Sequence, residues 1–329
     1  MDVTAAVIGA GAWGTTLAVL LHAAGCRTVL WEAFSQYASV LRRYRVNRQF
    51  LPGVRIPAGI RITSRLDEAC ADASCLVVAV PSRFFRQTVR AISGVSRGMP
   101  VLIATKGLEA TTGARMSQVL REEFRAASCA VLSGPTIAAE VAAGKPAAAI
   151  VASSDRSVAR MFQKLLSGDT LRLYTLDDVC GVELGGALKN VIAIGSGIID
   201  GFGLGTNTKA SYLCRGIREM ARLGCALGGR KETFLGLSGM GDLITTSFNP
   251  ASRNRSFGQA VAEGRAEEFL ASTRQAVEGV QTVASVRRLR RLTGVETPIM
   301  SSVERIVLRR ADPSVEIRRL MRRRLKDEE

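Results

Sequence analysis

Short, continuously apolar segments alternate with helical stretches over the first half of the chain. The first segment is Thr4–Ile8, which ends at Gly9, and residues 14–24 after it have the pattern of a helix closed by Gly25. Segments of the same apolar kind follow at 28–31, 75–80, 101–104, 129–133 and 147–152. Because they are apolar throughout and do not alternate with polar residues, they predict strands buried on both faces of a parallel sheet.

The pattern changes near residue 178. Beyond it, helical periodicity dominates and strand signals are few, over residues 179–199, 208–227, 255–263, 280–291, 299–309 and 313–325. We therefore predict an α/β fold with a Rossmann-like, doubly wound sheet in residues 1–178 and an all-helical C-terminal domain in residues 179–329.

Composition narrows the class of protein. The 329 residues are 47% hydrophobic and 22% charged, which is enough for about two domains with cores of their own. We expect a cytoplasmic protein without an integral membrane segment, because no apolar segment reaches ~20 residues and the N-terminus lacks the basic start of a secretory signal. Seven scattered cysteines without a C-x-x-C pair predict free thiols and no metal site.

The net charge of +16 admits a nucleic acid, an anionic substrate or simple solubility as its reason. Aromatic residues make up only 5% of the chain and do not interleave with the arginines, which argues against a nucleic-acid partner. The most basic stretch is the last predicted helix, with Arg318, Arg319, Arg322, Arg323 and Arg324. We interpret it as a solvated helix face, with an anionic surface or partner as the alternative.

A glycine-rich turn, G-A-G-A-W-G at residues 9–14, follows the first predicted strand directly and opens the first predicted helix. In that context the turn is typical of a dinucleotide site. Gly9 permits the tight turn, Gly11 lets the backbone approach the pyrophosphate, and Gly14 lets helix and strand pack closely. The amides at the helix start are expected to hold the phosphates. Residues 1–178 are therefore predicted to be a dinucleotide-binding domain.

Glu32 follows the second predicted strand, where the adenosine ribose is expected to lie. A carboxylate there accepts hydrogen bonds from the ribose hydroxyls but repels a 2′-phosphate, so this position favours NAD over NADP. A solvent-facing carboxylate is the alternative interpretation, and Arg42, Arg43 and Arg48 leave NADP open.

The single histidine constrains the chemistry. His22 lies inside the first predicted helix among apolar residues, so it is a poor candidate for proton transfer. Lysine occurs only seven times against 38 arginines. Lys189 lies in an apolar, glycine-rich helical stretch, which is expected to lower its pKa and suit it as a proton donor to a carbonyl, although a solvent-facing lysine is the alternative. Residues 179–329 are therefore predicted to form the substrate-binding and catalytic domain.

Three polar segments offer anion-binding groups. Lys106 follows the predicted strand 101–104, at the strand end where ligands bind in open α/β sheets. Residues 133–136 (S-G-P-T) form a turn after a strand, and residues 249–255 (N-P-A-S-R-N-R) combine a hydroxyl, an amide and a guanidinium. Such donors suit a phosphate group, although each loop alone could be an ordinary turn.

Taken together, the chain strongly resembles the bacterial-type NAD(P)-dependent glycerol-3-phosphate dehydrogenase family. The matching stretches occur in order over most of the chain: GAGAWGTTLA (9–18), TKGLE (105–109), LSGPTIAAEVAAGKPAA (132–148), ELGGALKNVIAIGSGIIDG (183–201), LSGMGDLITTSFNPASRNRSFG (237–258) and VEGVQT (277–282).

The resemblance implies the reversible reduction of dihydroxyacetone phosphate to sn-glycerol 3-phosphate for phospholipid synthesis, with Lys189 as the proton donor or acceptor. It implies that the substrate is held by Lys106, Gly134, Thr136, Lys189, Asp242, Ser252, Arg253 and Asn254. The residues expected around NAD or NADP are Gly9, Gly11, Ala12, Trp13, Gly14, Glu32, Lys106, Ala138, Arg253, Ala276 and Glu278. Asp242 is expected to orient the lysine, and Arg253 with Asn254 to clamp the phosphate.

Two features depart from the family pattern. Glu32-Ala33 stands where members that prefer NADPH often carry Gly followed by His or Arg, and the arginine-rich C-terminal segment is not accounted for. Another lysine-using reductase and a catalytically silent dinucleotide sensor are the other functions considered; the phosphate-binding loops argue against the first, and Lys189, Lys106 and Asp242 against the second. The oligomeric state stays open, with a homodimer as the assembly considered.

Overall fold

The structure is a computed structural model that describes residues 3–95, 98–125, 127–273, 277–325 and 327–328. The chain divides into two compact units, one formed by Met1–Lys106 with Ala114–Glu183 and the other by Gly107–Gly113 with Leu184–Glu329. The domain boundary at residue 178 stays a prediction, because a division into compact units does not show where one functional domain ends and the next begins.

The first unit is built on an eight-stranded sheet and a two-stranded hairpin. The strands are β1 (Thr4–Ile8), β2 (Arg27–Trp31), β3 (Val46–Asn47), β4 (Leu51–Arg55), β5 (Arg61–Thr63), β6 (Cys75–Val78), β7 (Val101–Ile103), β8 (Cys129–Ser133), β9 (Ala147–Ala152) and β10 (Leu171–Leu176). The order in the large sheet is β10-β9-β8-β7-β6-β1-β2-β5, and β3 pairs with β4. Its helices are α1 (Ala12–Ala23), α2 (Ser35–Tyr44), α3 (Leu66–Cys70), α4 (Ser82–Ser93), α5 (Met116–Glu123), α6 (Ala138–Ala142) and α7 (Arg156–Leu166).

The sheet places the glycine turn at its topological switch point. Strand β1 has β2 on one side and β6 on the other, and both pairs are parallel. From β1 the chain proceeds outward in both directions, so the loops after β1 and β6 diverge and leave a crevice at their carboxyl ends. All residues of β1, β6 and β7 are buried, as continuously apolar strands covered on both faces should be.

The described part of the second unit is helical. Its helices are α8 (Val179–Gly201), whose first five residues belong to the first unit, α9 (Gly205–Ala226), α10 (Lys231–Leu235), a π-helical turn (Leu237–Gly241), α11 (Asp242–Phe248), α12 (Arg253–Ala262), α13 (Ala266–Ser272), α14 (Glu278–Thr293), α15 (Pro298–Arg309) and α16 (Pro313–Met321). The predicted order of a Rossmann-like sheet followed by a helical region is confirmed.

Helix α8 passes through the interior. Within the described residues it is the helix long and apolar enough to cross a membrane, and its most apolar window is entirely buried in the fold, which is typical of a core helix. Glycines allow α12 to approach it closely, because a Cβ on Gly197 would overlap the carbonyl oxygen of Arg255, and a Cβ on Gly258 would overlap that of Ile194. This contact brings the start of α12 close to the middle of α8.

All six predicted strands are present, with ends that differ by at most two residues. The sheet is not fully parallel, however, because β8 and β9 are antiparallel. Four strands were not predicted: β3, β4 and β5 are short, and β10 alternates buried and exposed residues instead of being continuously apolar.

The last predicted helix is too long. Helix α16 ends at Met321, so Arg322, Arg323 and Arg324 follow the helix and do not belong to it. Like-charged residues four apart, Arg318 with Arg322 and Arg319 with Arg323, oppose continuation of the helix at this point.

Candidate functional site

The glycine turn is packed against protein atoms on the side that faces the sheet, and on its other side there is space for a ligand. Gly9 has a φ of +114°, and a Cβ there would lie 2.9 Å from the carbonyl oxygen of Ala79, after β6. A Cβ on Gly14 would overlap the carbonyl oxygen of Gly9. A Cβ on Gly11, in contrast, would meet no atom within 4 Å. The space over Gly11 is therefore available for a ligand that approaches the backbone closely.

The start of α1 adds hydrogen-bond donors to this space. Gly11 is its N-cap residue and supplies no side-chain acceptor, so the first-turn amides, beginning with Ala12, are not capped by that residue. The indole Nε1 of Trp13 is buried and has no hydrogen-bond partner among the described residues. Helix amino termini bind anions such as a pyrophosphate, so this cradle fits a dinucleotide.

Asn47 holds the turn in place, a role that the sequence did not reveal. Its amide nitrogen donates to the carbonyl oxygen of Ala10 and to the Thr15 hydroxyl, both at 2.8 Å, and its side chain is fully buried. Its amide oxygen accepts from the Tyr37 hydroxyl at 2.7 Å and from the backbone of Phe50 at 3.2 Å. Because the contact joins residues 37 positions apart, no local pattern predicts it.

Glu32 is buried at the end of β2, with 7% of its surface exposed, so it is not a solvent-facing carboxylate. Its Oε1 accepts a hydrogen bond from the backbone amide of Phe34 at 3.0 Å. Burial raises the pKa of this carboxyl, and the backbone hydrogen bonds of Phe34 and Ala33 partly oppose that shift. A second partner with hydroxyl donors would offset the desolvation of the carboxylate.

Lys106 and the 133–136 turn meet in the first unit. The Lys106 ammonium donates to the carbonyl oxygen of Gly134 at 2.8 Å, and the Thr136 hydroxyl donates to the same oxygen at 3.2 Å. Helix α6, which begins at Ala138, is tied to α1 because the Thr16 hydroxyl donates to the Ala138 carbonyl at 3.2 Å. The turn thus lies beside the helix that starts at the glycine turn.

Lys189 lies in a buried polar cluster of the second unit. Its ammonium donates to Asp242 Oδ1 at 2.8 Å and to the Thr246 hydroxyl at 2.6 Å. Lys189 is 6% exposed and Asp242 is 3% exposed. The solvent-facing alternative for this lysine is therefore wrong. The carboxylate stabilises the charged ammonium and orients it, while the hydroxyl provides a second fixed contact.

The π-helical turn sets the position of Asp242, which begins α11 immediately after it. This turn packs directly on α8, because a Cβ on Gly185 would lie 3.0 Å from the carbonyl oxygen of Ser238. Single π-helical turns often mark functional sites. The Asp242 carboxylate is thereby held over the part of α8 that carries Lys189.

Asn254 is engaged with the protein more fully than expected. Its amide nitrogen donates to Asn190 Oδ1 at 2.8 Å, and its amide oxygen accepts from the backbone amide of Gly279 at 2.9 Å. Asn190 follows Lys189 directly, so Asn254 links α12 and α14 to the lysine-bearing segment of α8. One amide hydrogen of Asn254 is left for a further acceptor.

The two arginines of the 249–255 loop have different surroundings. Arg255 Nε donates to Asp200 at 2.6 Å, and Asp200 also binds Lys209, so Arg255 is occupied by this ion-pair network. Arg253 retains solvent access. Desolvation lowers its pKa and nearby Glu278 raises it, yet arginine stays protonated in proteins. Ser252 caps α12 by accepting from the Arg255 amide at 3.3 Å, and its hydroxyl proton stays available.

The predicted site residues thus form two groups. The first unit holds the glycine turn with Ala12 and Trp13, Glu32, Lys106, Gly134, Thr136 and Ala138, and the second unit holds Lys189, Asp242, Ser252, Arg253, Asn254 and Glu278. Ala276 lies outside the described residues. Thr246 and Asn190 were not predicted individually, because a threonine or asparagine in a helix carries no sequence signal for a contact more than 50 residues away.

A cavity of about 460 Å³ lies at the opposite end of the sheet from the glycine turn. It is lined by Thr4 and Arg27 at the amino ends of β1 and β2, together with His22 and Arg61. Ligands of open α/β sheets bind beyond the carboxyl ends of the strands, so this cavity is not the cofactor site.

The open glycine turn at a switch point and the buried lysine cluster in a helical region define a dinucleotide-dependent oxidoreductase. Comparison with known proteins identifies the family. The model of the NAD-dependent glycerol-3-phosphate dehydrogenase N-terminus matches residues 4–159, and that of the C-terminus matches residues 178–318. The chain belongs to the NAD-dependent glycerol-3-phosphate dehydrogenase family.

Glycerol-3-phosphate dehydrogenases from other organisms are similar to this protein over nearly the whole chain. A glycerol-3-phosphate dehydrogenase [NAD(P)+] from Pelotomaculum thermopropionicum is 42% identical and covers 97% of this chain and 93% of its own. One from Moorella thermoacetica is 44% identical over 93% of this chain and 92% of its own. The crystal structure of glycerol-3-phosphate dehydrogenase from Coxiella burnetii is 34% identical, with a TM-score of 0.94 over 98% of this chain and 99% of that one.

Proposed function

We propose that this chain reversibly reduces dihydroxyacetone phosphate to sn-glycerol 3-phosphate, with Lys189 as the proton donor and NAD as the preferred cofactor. The observation that carries the proposal is the buried cluster in which the Lys189 ammonium contacts Asp242 at 2.8 Å and Thr246 at 2.6 Å. The two fixed acceptors orient this ammonium as a proton donor.

In this mechanism a bound reduced nicotinamide supplies the hydride that forms the new C–H bond at the carbonyl carbon. The carbonyl oxygen would gain negative charge in the reaction, and the Lys189 ammonium donates a hydrogen bond to it. The proton then passes from Nζ to the oxygen, which leaves a neutral amine and an alcohol. In the reverse direction the amine takes the proton from the hydroxyl. Asp242 and Thr246 keep Nζ oriented throughout.

The substrate phosphate is matched by Arg253, whose guanidinium retains solvent access beside Ser252 and Asn254. A guanidinium can bind two phosphate oxygens at once. The remaining amide hydrogen of Asn254 and the Ser252 hydroxyl add neutral donors. Lys106, Gly134 and Thr136 stay proposed substrate contacts. The Gly134 carbonyl oxygen accepts from both Lys106 and Thr136 and so holds these two side chains together.

The preference for NAD rests on Glu32. Its carboxylate accepts from the Phe34 amide through Oε1 and keeps acceptor capacity for a ribose hydroxyl. A 2′-phosphate would meet a buried carboxylate, which is unfavourable for both charges. The NAD(P)+ in the names of the similar enzymes leaves both cofactors available to the family.

The test is oxidation of NADH by the purified protein with dihydroxyacetone phosphate. We expect turnover with wild type, and a loss of kcat of more than about a hundredfold in Lys189→Ala, with NADH affinity nearly unchanged. Lys164→Ala, which removes an exposed lysine of α7, is the matched control. No turnover of wild type with NADH or NADPH would contradict the assigned reaction, and an unchanged kcat in Lys189→Ala would remove this lysine from its role.

Cytoplasmic location, a contribution to phospholipid synthesis and a homodimeric assembly remain parts of the proposal. They are tested by cell fractionation, by the phospholipid content of a strain that lacks the enzyme, and by sedimentation of the purified chain.

A further inference from the structure

The arginine-rich end of the second unit is not explained by the reaction. Val315, Arg318 and Arg319 lie at i, i+3 and i+4, so they share one face of α16, and Arg322 follows directly after the helix end. All four are exposed. We call these residues, together with Met321, Arg324 and Leu325, the basic C-terminal face.

Most of the positive charge on this face is not neutralised. Arg318, Arg322 and Arg324 have no carboxylate partner among the described residues. Arg319 approaches Glu316 only at 3.7 Å, and that carboxylate is already bound by Arg305 at 2.6 Å. Glu328 lies toward Arg218 of α9, with an N–O distance of 3.4 Å.

Large apolar side chains are exposed among these arginines. Leu325 is 92% exposed, Met321 is 81% exposed and Val315 is 49% exposed. The ion pair of Arg323 with Glu296 at 3.4 Å holds the segment beside the end of α14, where Leu292 is 71% exposed. Large apolar side chains exposed within one short basic segment indicate a binding surface.

We propose that the basic C-terminal face binds the surface of an anionic phospholipid bilayer. A mixture of arginines with aliphatic side chains is suited to the boundary between charged headgroups and acyl chains, where both kinds of side chain are satisfied at once. A single-stranded nucleic acid would instead require aromatic side chains for stacking, and this face has none. The proposed binding is peripheral, with the aliphatic side chains at the acyl boundary and the arginines at the headgroups.

The test is sedimentation of the full-length protein with vesicles. One set contains phosphatidylcholine alone, and the other contains about one third phosphatidylglycerol. We expect binding to the anionic vesicles only, with loss of most of the binding at about 1 M salt, where electrostatic attraction is screened within about 3 Å. Met321→Ser with Leu325→Ser should weaken binding without abolishing it.

Two charge-matched triple variants locate the surface. Arg318→Gln, Arg322→Gln and Arg324→Gln together should reduce the partition coefficient about a hundredfold, since each arginine at an anionic surface contributes about fivefold. Arg156→Gln, Arg160→Gln and Arg172→Gln remove the same charge from exposed positions of the first unit and should change it by less than about threefold. Both variants should keep wild-type kcat, because none of these residues belongs to the proposed catalytic or binding machinery.

Three outcomes would overturn the proposal. These are equal binding to neutral and anionic vesicles, an equal loss in both triple variants, and binding to polyuridylate without binding to anionic vesicles. The last result would assign the face to a nucleic acid.

Discussion

Replacing Asp242 by asparagine isolates the charge of the buried pair. The substitution keeps the shape of the side chain and an oxygen that can accept from Lys189, but it leaves a 6% exposed ammonium without its opposite charge. Removing one partner of a buried ion pair costs about 3–5 kcal/mol. For a unit of about 150 residues, each kcal/mol shifts Tm by roughly 2–4 °C, so we expect Tm to fall by about 10 °C.

Differential scanning calorimetry of purified variants measures this shift. Glu140→Gln is the matched control, because it removes the charge from an exposed pair with Lys145, whose N–O distance is 3.7 Å. Exposed pairs contribute about 0–1 kcal/mol, so the control should change Tm by less than about 3 °C.

The double variant Lys189→Met with Asp242→Asn completes the cycle. It removes the buried ammonium as well, so it should be more stable than Asp242→Asn alone, with a coupling energy of about 1–3 kcal/mol. If Asp242→Asn lowers Tm no more than Glu140→Gln does, the pair is not the buried, charged arrangement on which the proton-transfer mechanism rests.

Three further predictions address the cofactor site and the pH dependence of stability. Gly14→Ala should lower both Tm and NADH affinity, because its Cβ would overlap a backbone oxygen, whereas Gly11→Ala should weaken NADH binding at nearly wild-type Tm. Thermal melts with and without NADH separate the effect on stability from the effect on binding. Equal Tm values for the two variants would refute the argument. Glu32→Ala should raise the ratio of kcat/KM for NADPH over NADH, and a wild-type preference for NADPH would show that this position does not exclude the 2′-phosphate. Burial raises the pKa of Glu219 to about 7, although the amides of Ile299 and Met300 partly oppose the shift. The folded state therefore holds this proton more tightly than the unfolded state, so the contribution of Glu219 to stability is complete below about pH 4.5 and falls by about 3 kcal/mol as the pH rises through about 7. Urea unfolding at pH 5 and pH 8 should show this loss in wild type but not in Glu219→Gln, and a parallel loss in both proteins would contradict it.

Much of the site could be predicted from local sequence. In the turn at residues 9–14, Gly9 has a positive φ and a Cβ on Gly14 would overlap a backbone oxygen, so backbone sterics explain these two glycines. Gly11 is explained instead by the open space that a ligand needs over the backbone. The apolar, glycine-rich stretch around Lys189 is expected to desolvate its ammonium, with a solvent-facing lysine as the alternative, and the structure buries it.

Other contacts had no local signal. Asn47 supports the glycine turn from a hairpin of short strands, and Thr246 contacts Lys189 across 57 positions of sequence. Strand β10 was missed because it covers the edge of the sheet and buries only alternate residues. Side chains that act at long range look like ordinary polar residues in the sequence.

The sequence by itself determined where the buried strands lie along the chain, the dinucleotide turn and the family. These features depend on backbone conformation and on residue patterns within a few positions. The tertiary structure decided which polar groups are already occupied. It showed that Arg255 is bound to Asp200 and that Asn254 is shared between Asn190 and Gly279. It also placed Asp242 against Lys189 through a π-helical turn. Such pairings depend on how distant helices pack, and packing is set by the whole core and not by any single segment.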